Sequence, residues 1–326
     1  MKIGVVGPGA LGGYYGAKLL QKGEELHFLL RSDHDVVKRR GVRVKSPEGN
    51  FNVRPKCARK PEEIGECDLV LIGLKTTAND QFKNLLPPLV GSHTAILSLQ
   101  NGLGNVEALA DLFEKSQILG GLCFVCINRP GPGVIDHQAY GRIVMGEHNR
   151  WPEPRTHDIC SLFKDSGVPC EVADNLYRAQ WEKLVWNIPF NGLGVAGVAG
   201  FDAVIAGDPA AKAGRANCLP TDELLASEAW SRLVRELMSE VIAAAHGHGL
   251  DVAEAMADKM MTNTRTMGAY RASTLIDFER GLPLELDSLF LEPLHRAKSA
   301  GIDTPRLDAL CRTLRALNDD RAANAG

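Results

Sequence analysis

Hydrophobic positions in the first half of the chain fall in short, near-continuous runs separated by polar and glycine-rich breaks. "KIGVVG" is one such run, ending at Gly7, and "ELHFLLR" is the next. "DLVLIGLK" (68–75) and "TAILSLQNG" (94–102) follow, and "QILGGLCFVCIN" and "GRIVMGE" continue the series. Runs of this kind read as strands buried on both faces. Residues 10–22 carry helical periodicity and end at Gly23. Strands that alternate with helices predict a parallel, doubly wound α/β sheet. Past residue 174 the strand-like runs stop. Residues 176–199, 223–247, 253–265, 284–300 and 306–318 read as helices, with stops at Gly-His-Gly (247–249) and "AGIDTP" (300–305). The pattern predicts an α/β domain over 1–173 and an all-helical domain over 174–326.

Composition narrows the function classes. A chain of 326 residues with 44% hydrophobic and 24% charged positions has enough apolar material for two cores. A net charge of −3 sets up no global field that would recruit nucleic acid or a membrane. The basic run "KRRGVRVK" (38–45) alternates like the solvated face of a strand and lacks the interleaved aromatics of a nucleic-acid patch. No stretch of about 18 apolar residues suggests a membrane span. The N-terminal apolar run begins like a leader peptide, but glycines interrupt it. The 8 cysteines are spread along the chain, the usage of reduced, cytoplasmic thiols. Cys123 and Cys126 form a C-x-x-C within a strand-like run and have no second pair at metal spacing. His246 and His248 flank Gly247 without a third ligand nearby, so no metal site is expected.

The first chemistry-bearing motif is G-x-G-x-x-G at Gly7, Gly9 and Gly12. It follows a predicted strand and opens a predicted helix, which is the context a dinucleotide site requires. Gly7 would permit the tight turn, Gly9 the approach of a pyrophosphate, and Gly12 close helix–strand packing. The loop of Gly7, Pro8, Gly9, Ala10, Leu11 and Gly12 is therefore the predicted cofactor cradle of a Rossmann-type domain. At the end of the second strand stand Arg31 and Ser32, a cation and a hydroxyl suited to a ribose 2′-phosphate, which favours NADPH. Asp33 complicates this, because a register two residues different would place an acid there and favour NAD. Lys75 and Asn101 close two further strands, where ligands bind in open parallel sheets. Each equally suits a turn.

"EKLVWNIPFN" (182–191) poses a different problem. Lys183, Asn187 and Asn191 are spaced by four, so a helix would stack an amine and two amides on one otherwise apolar face. Buried amides are costly unless something bonds them, and a small polar substrate would. Spacing alone equally allows a snorkelling lysine and two helix caps, with Pro189 breaking the helix.

Taken together, "GPGALG", Arg31, "GLK" (73–75), "QNG" (100–102), "KLVWNIPFN" and the late segment "STLIDFERGLPLELD" (273–287) resemble the ketopantoate reductase (2-dehydropantoate 2-reductase) family over nearly the whole chain. The resemblance implies a Rossmann domain followed by a helical domain, an active site in the cleft between them, and NADPH-dependent reduction of a 2-keto acid. It makes Lys183 the catalytic lysine and Glu285 the acidic residue near it. It matches Asn187 and Asn191 to amides that hold substrate hydroxyls, and Ser273 to a serine that binds the substrate carboxylate. Lys75 and Asn101 match positions beside the cofactor ribose and nicotinamide. An ammonium at the reacting carbonyl would stabilise the growing negative charge and deliver the proton. Desolvation would lower the lysine pKa, and Glu285 would oppose that.

The chain departs from the family pattern at three places: Phe201 and Tyr270 replace asparagines, and Phe290 and Leu291 replace an Asn-Gly pair. The reaction type is expected to hold, while a different or bulkier 2-keto acid is an open alternative. A nucleotide-binding sensor without catalysis is the other alternative, and Lys183 and Glu285 count against it. The expected partner is a small-molecule 2-keto acid rather than nucleic acid or membrane, and a homodimer remains open.

Overall fold

The computed structural model describes residues 1–208 and 217–324. The chain forms two compact units, Met1–Ala179 and Gln180–Gly326. The first is built on one ten-stranded sheet. Its strands are β1 (Lys2–Val6), β2 (Glu25–Leu29), β3 (Val42–Lys45), β4 (Phe51–Val53), β5 (Lys56–Ala58), β6 (Cys67–Ile72), β7 (Val90–Ser98), β8 (Ile118–Gly131), β9 (Val134–Glu147) and β10 (Cys170–Val172). The helices of this unit are α1 (Ala10–Lys22), α2 (His34–Arg40), α3 (Phe82–Leu85), α4 (Asn105–Ala110) and α5 (Pro154–Asp165).

The spatial order is β4-β3-β9-β8-β7-β6-β1-β2-β5, with β10 beside β9. The centre is parallel, from β5 through β2, β1, β6 and β7 to β8. Two pairings correct the expected all-parallel sheet. The 14-residue strands β8 and β9 form an antiparallel hairpin, and β3 pairs antiparallel with β4. A short turn after Gly131 suffices to reverse the chain, whereas a parallel pairing would need a long crossover.

The strand runs are continuous because both faces of the sheet are covered. Val5, Leu69, Leu71 and Leu97 enter one buried layer with Tyr15, Leu19 and Phe163 from α1 and α5. Their chain neighbours Val6, Val70, Ile72 and Ile96 enter another with Phe82, Val106 and Leu109 from α3 and α4. The basic run 38–45 splits in two. Its first part ends α2, and only β3 alternates, with Val42 and Val44 buried and Arg43 and Lys45 exposed.

The second unit is helical. α6 (Leu176–Ala196) begins in the first unit and continues into the second. It is followed by α7 (Phe201–Ala206), α8 (Thr221–Ala226), α9 (Glu228–Gly247), α10 (Ala255–Arg265), α11 (Ser273–Glu279), α12 (Glu292–Ser299) and α13 (Pro305–Asn324). A π-helical turn at Asp287–Leu291 leads into α12. The predicted helix 223–247 is two helices, because Ser227 ends α8 and caps α9 by accepting from the Trp230 amide. α7 and α11 are too short to show clear periodicity. α6 is nearly wholly buried from Leu184 onward, and Pro189 lies inside it rather than ending it. Among the described residues no helix is long and apolar enough to cross a membrane.

Candidate active site

In the first unit the predicted cofactor residues lie at the carboxyl ends of four neighbouring strands, β2, β1, β6 and β7. The turn after β1 is tightly built. Gly7 has φ of +80°, and a Cβ there would lie 2.5 Å from the Leu74 amide nitrogen. A Cβ on Gly12 would lie 2.6 Å from the Gly7 carbonyl oxygen. Gly9 differs: the only heavy atom that its Cβ would meet, the Gly7 oxygen, is 4.0 Å away. The backbone at Gly9 is thus open to close approach.

Gly9 is the N-cap of α1 and brings no capping side chain. Its amide donates to the Gly7 carbonyl at 2.7 Å, and the Gly13 amide donates to Gly9 at 3.1 Å. Pro8, Ala10 and Leu11 are half-buried, and Leu11 packs on the core. This loop therefore offers backbone groups at a helix N-terminus, which is chemistry suited to a diphosphate.

At the end of β2, Arg31 is exposed. Asp33 is buried at 8% exposure, and its carboxylate accepts from Arg129 Nη1 at 2.5 Å, Ser32 Oγ at 3.0 Å and the Gly133 amide at 3.4 Å. At the end of β6, Lys75 is exposed and caps a 3₁₀ turn over Thr76–Gln81. Asn101, after β7, is half-buried and accepts from Asn105 Nδ2 through its carbonyl at 2.9 Å. Gln100 donates to the Leu74 carbonyl at 3.1 Å and to Asn79 Oδ1 at 2.7 Å, and Asn79 donates to Asn105 at 2.8 Å. This amide network ties the ends of β6 and β7 together. Sequence reading missed Asn79 and Asn105, whose signal was only that polar residues follow strand ends.

In the second unit Lys183 is half-buried on α6, and Asn187 and Asn191 are buried one and two turns further on. Asn191 donates to Asn187 at 3.5 Å. Its own carbonyl oxygen accepts the Thr274 amide at 3.3 Å. Neither amide caps α6. Asn191 instead satisfies the first turn of α11, whose N-cap Ala272 offers no side-chain acceptor. α11 lies tightly on α6, since a Cβ on Gly194 would be 2.5 Å from Leu275 Cδ1. Ser273 is exposed at the start of α11, one residue before Thr274 in the chain. Glu285 is half-buried just ahead of the π turn.

The three departures separate. Phe201 packs edge-on against Trp230 with ring centroids 5.0 Å apart, and Tyr270 tilts against Trp186 at 6.1 Å, both half-buried. Phe290 is wholly buried, and a Cβ on Gly192 would meet its ring at 2.9 Å. Trp181 is wholly buried, and Trp186 donates to Thr264 Oγ1 at 2.9 Å. His246 and His248 each face a backbone carbonyl, of Val252 at 2.7 Å and Arg296 at 3.1 Å. Among the described residues no group of three or more His, Cys, Asp or Glu could hold a metal ion. In the polar stretch "AKAGRANCLPTDE", Arg215 lies outside the described residues and Asp222 is exposed on α8.

The model of the family described as "Ketopantoate reductase PanE/ApbA" matches residues 3–150, and its C-terminal counterpart matches residues 215–318. The chain belongs to the ketopantoate reductase family. This is an oxidoreductase family acting on a 2-keto acid with a nicotinamide cofactor. Within it, the chain is 37% identical to a 2-dehydropantoate 2-reductase from Nostoc sp., over 97% of this chain and 95% of that one. It superposes on the crystal structure of 2-dehydropantoate 2-reductase from Geobacter metallireducens with a TM-score of 0.88 and 43% identity, covering 97% and 99% of the two chains. A likeness to the ternary structure of D-mandelate dehydrogenase with NADH and anilino(oxo)acetate has a TM-score of 0.83 at 18% identity, covers 99% of both chains, and concerns the fold alone.

Proposed function

We propose that this ketopantoate reductase family member reduces 2-dehydropantoate to pantoate with NADPH, as a step of pantothenate biosynthesis. The observation that carries the cofactor choice is the end of β2. Arg31 is exposed there, while Asp33, the acid that would favour a free ribose, is bonded to Arg129. An exposed guanidinium fork suits a 2′-phosphate. The loop from Gly7 to Gly12 would hold the diphosphate through backbone amides, and Lys75 and Asn101 would meet the ribose and nicotinamide. When bound, the cofactor supplies the hydride.

The remaining chemistry falls to side chains of the helical unit. Lys183 would act as general acid, stabilising the developing alkoxide and then protonating it. Asn187 would orient substrate hydroxyls, with Asn191 behind it. Ser273 would bind the substrate carboxylate, and Glu285 would be the acidic residue near Lys183 and the cofactor. A reducing cytoplasm is the proposed setting, on the spread of the eight cysteines along the chain.

A second reading, a different 2-keto acid, is favoured by Phe201 and Tyr270, half-buried aromatics where asparagines are usual. NADPH oxidation followed by absorbance against 2-dehydropantoate and a panel of other 2-keto acids decides between them. Fast turnover of 2-dehydropantoate supports the first reading. Turnover confined to another keto acid replaces it with the second.

A further inference from the structure

Asp33 stands at the start of α2 yet does not cap it. An N-cap aspartate ordinarily accepts amides of its own helix. Here both carboxylate oxygens are used elsewhere. Oδ2 takes Arg129 Nη1 at 2.5 Å and the Gly133 amide at 3.4 Å, and Oδ1 takes Ser32 Oγ at 3.0 Å. Arg129 is near the end of β8, and Gly133 is in the turn to β9, so the hairpin reaches back across 96 residues to hold this one acid. The Asp33 side chain keeps 10% exposure and that of Arg129 39%. A carboxylate this buried is stable only when paired.

The position gives the pairing a consequence. Asp33 is two residues beyond Arg31, at the strand end where an acid selects a ribose 2′-hydroxyl and repels a 2′-phosphate. We infer that Arg129 is a positioning residue for cofactor choice: by pinning and neutralising Asp33 against the β8–β9 turn, it leaves Arg31 free to prefer a 2′-phosphorylated dinucleotide. The inference rests on the proposed preference for NADPH.

Calorimetric titration of the full chain with NADP⁺ and with NAD⁺ tests it through the ratio of the two dissociation constants. Arg129→Gln should lower the preference for NADP⁺ by about tenfold, because a charge next to the phosphate is uncovered. Asp33→Asn alone should move the ratio by less than about threefold, and the double variant should return to within about threefold of the wild type. A purely structural latch would lower both affinities together and would show no such rescue. That pattern, or an unchanged ratio in Arg129→Gln, overturns the inference. Should Arg129→Gln not fold, Asp33→Asn decides alone. A rise of about tenfold in NADP⁺ preference would mean the acid is already felt at the site, and the inference falls. Arg31→Ala separates the two claims. If it leaves the ratio unchanged while the Arg129 and Asp33 pattern holds, the role of Arg31 fails and that of Arg129 stands. If it collapses the ratio while Arg129→Gln does not, the reverse is true.

Discussion

Replacing Gly12 by alanine puts a number on how closely the turn after β1 is built. The new Cβ would lie 2.6 Å from the Gly7 carbonyl oxygen and 3.2 Å from Val5 Cγ1, where ordinary contact starts at 3.4 Å. The backbone must therefore open by about 0.8 Å. Retreat is obstructed, because Gly73 presses on the same spot: a Cβ there would be 2.9 Å from the Gly12 Cα. Overpacking of this kind costs about 2 kcal/mol. For a unit the size of Met1–Ala179 that lowers the melting temperature by about 4–8 °C. The same displacement moves the amides at the start of α1. A charge-assisted hydrogen bond to phosphate contributes about 1.5–3 kcal/mol, so losing one weakens dinucleotide binding by about tenfold to a hundredfold. Circular dichroism melting and calorimetric titration with NADP⁺ read the two effects. A variant that melts within about 1 °C of the wild type and binds with unchanged affinity refutes the reasoning.

Lys183→Ala should lower kcat by about a hundredfold to ten-thousandfold while NADP⁺ affinity stays within about twofold, and normal turnover would remove the lysine from the chemistry. Asn191→Ala should destabilise the protein by about 1–2 kcal/mol, measured by denaturant unfolding, because the buried Thr274 amide loses its acceptor. No loss would show that the first turn of α11 does not depend on Asn191. Burial pushes the Cys67 thiol up to about 11, and the Cys218 and Cys311 thiols up to about 12. These groups stay neutral in the fold after they ionise in the unfolded chain. Their contribution is full below the unfolded value near 9 and is lost as pH rises toward 11–12, so melting temperature should fall across that window. At pH 8 a thiol reagent should label Cys57, the one half-buried thiol, ahead of the other seven, and Cys57→Ser should remove the fast fraction.

The central strands were legible because both of their faces are buried, which writes itself as apolar runs. The hairpin direction was not. β8 and β9 look like two more members of the parallel series, and residues 129–140 between the two runs conceal strand extensions and the turn. The Gly-rich loop was readable from spacing, since its requirement is local. The bonds that give Asn191 and Asp33 their surroundings span 83 and 96 residues, and no periodicity reports on partners that far apart. Lys183, Asn187 and Asn191 could be placed on one helix face by spacing of four. That one amide would be committed to the backbone of α11 could not. Phe290 shows the opposite error: it suggested a changed pocket, yet it fills the core of the helical unit.

The ends of the large sheet bear on how this chain avoids sticking to itself. β4 and β5 close the two flanks, and β10 pairs only with β9, and each is three residues long. Pro55 sits between the two flanking strands in sequence, and Lys56 is exposed on β5. A strand this short gives an incoming chain too few backbone donors and acceptors to build a new ladder, and proline and lysine discourage it further. These three short strands are therefore poor templates for cross-β growth, and strand addition at them is disfavoured.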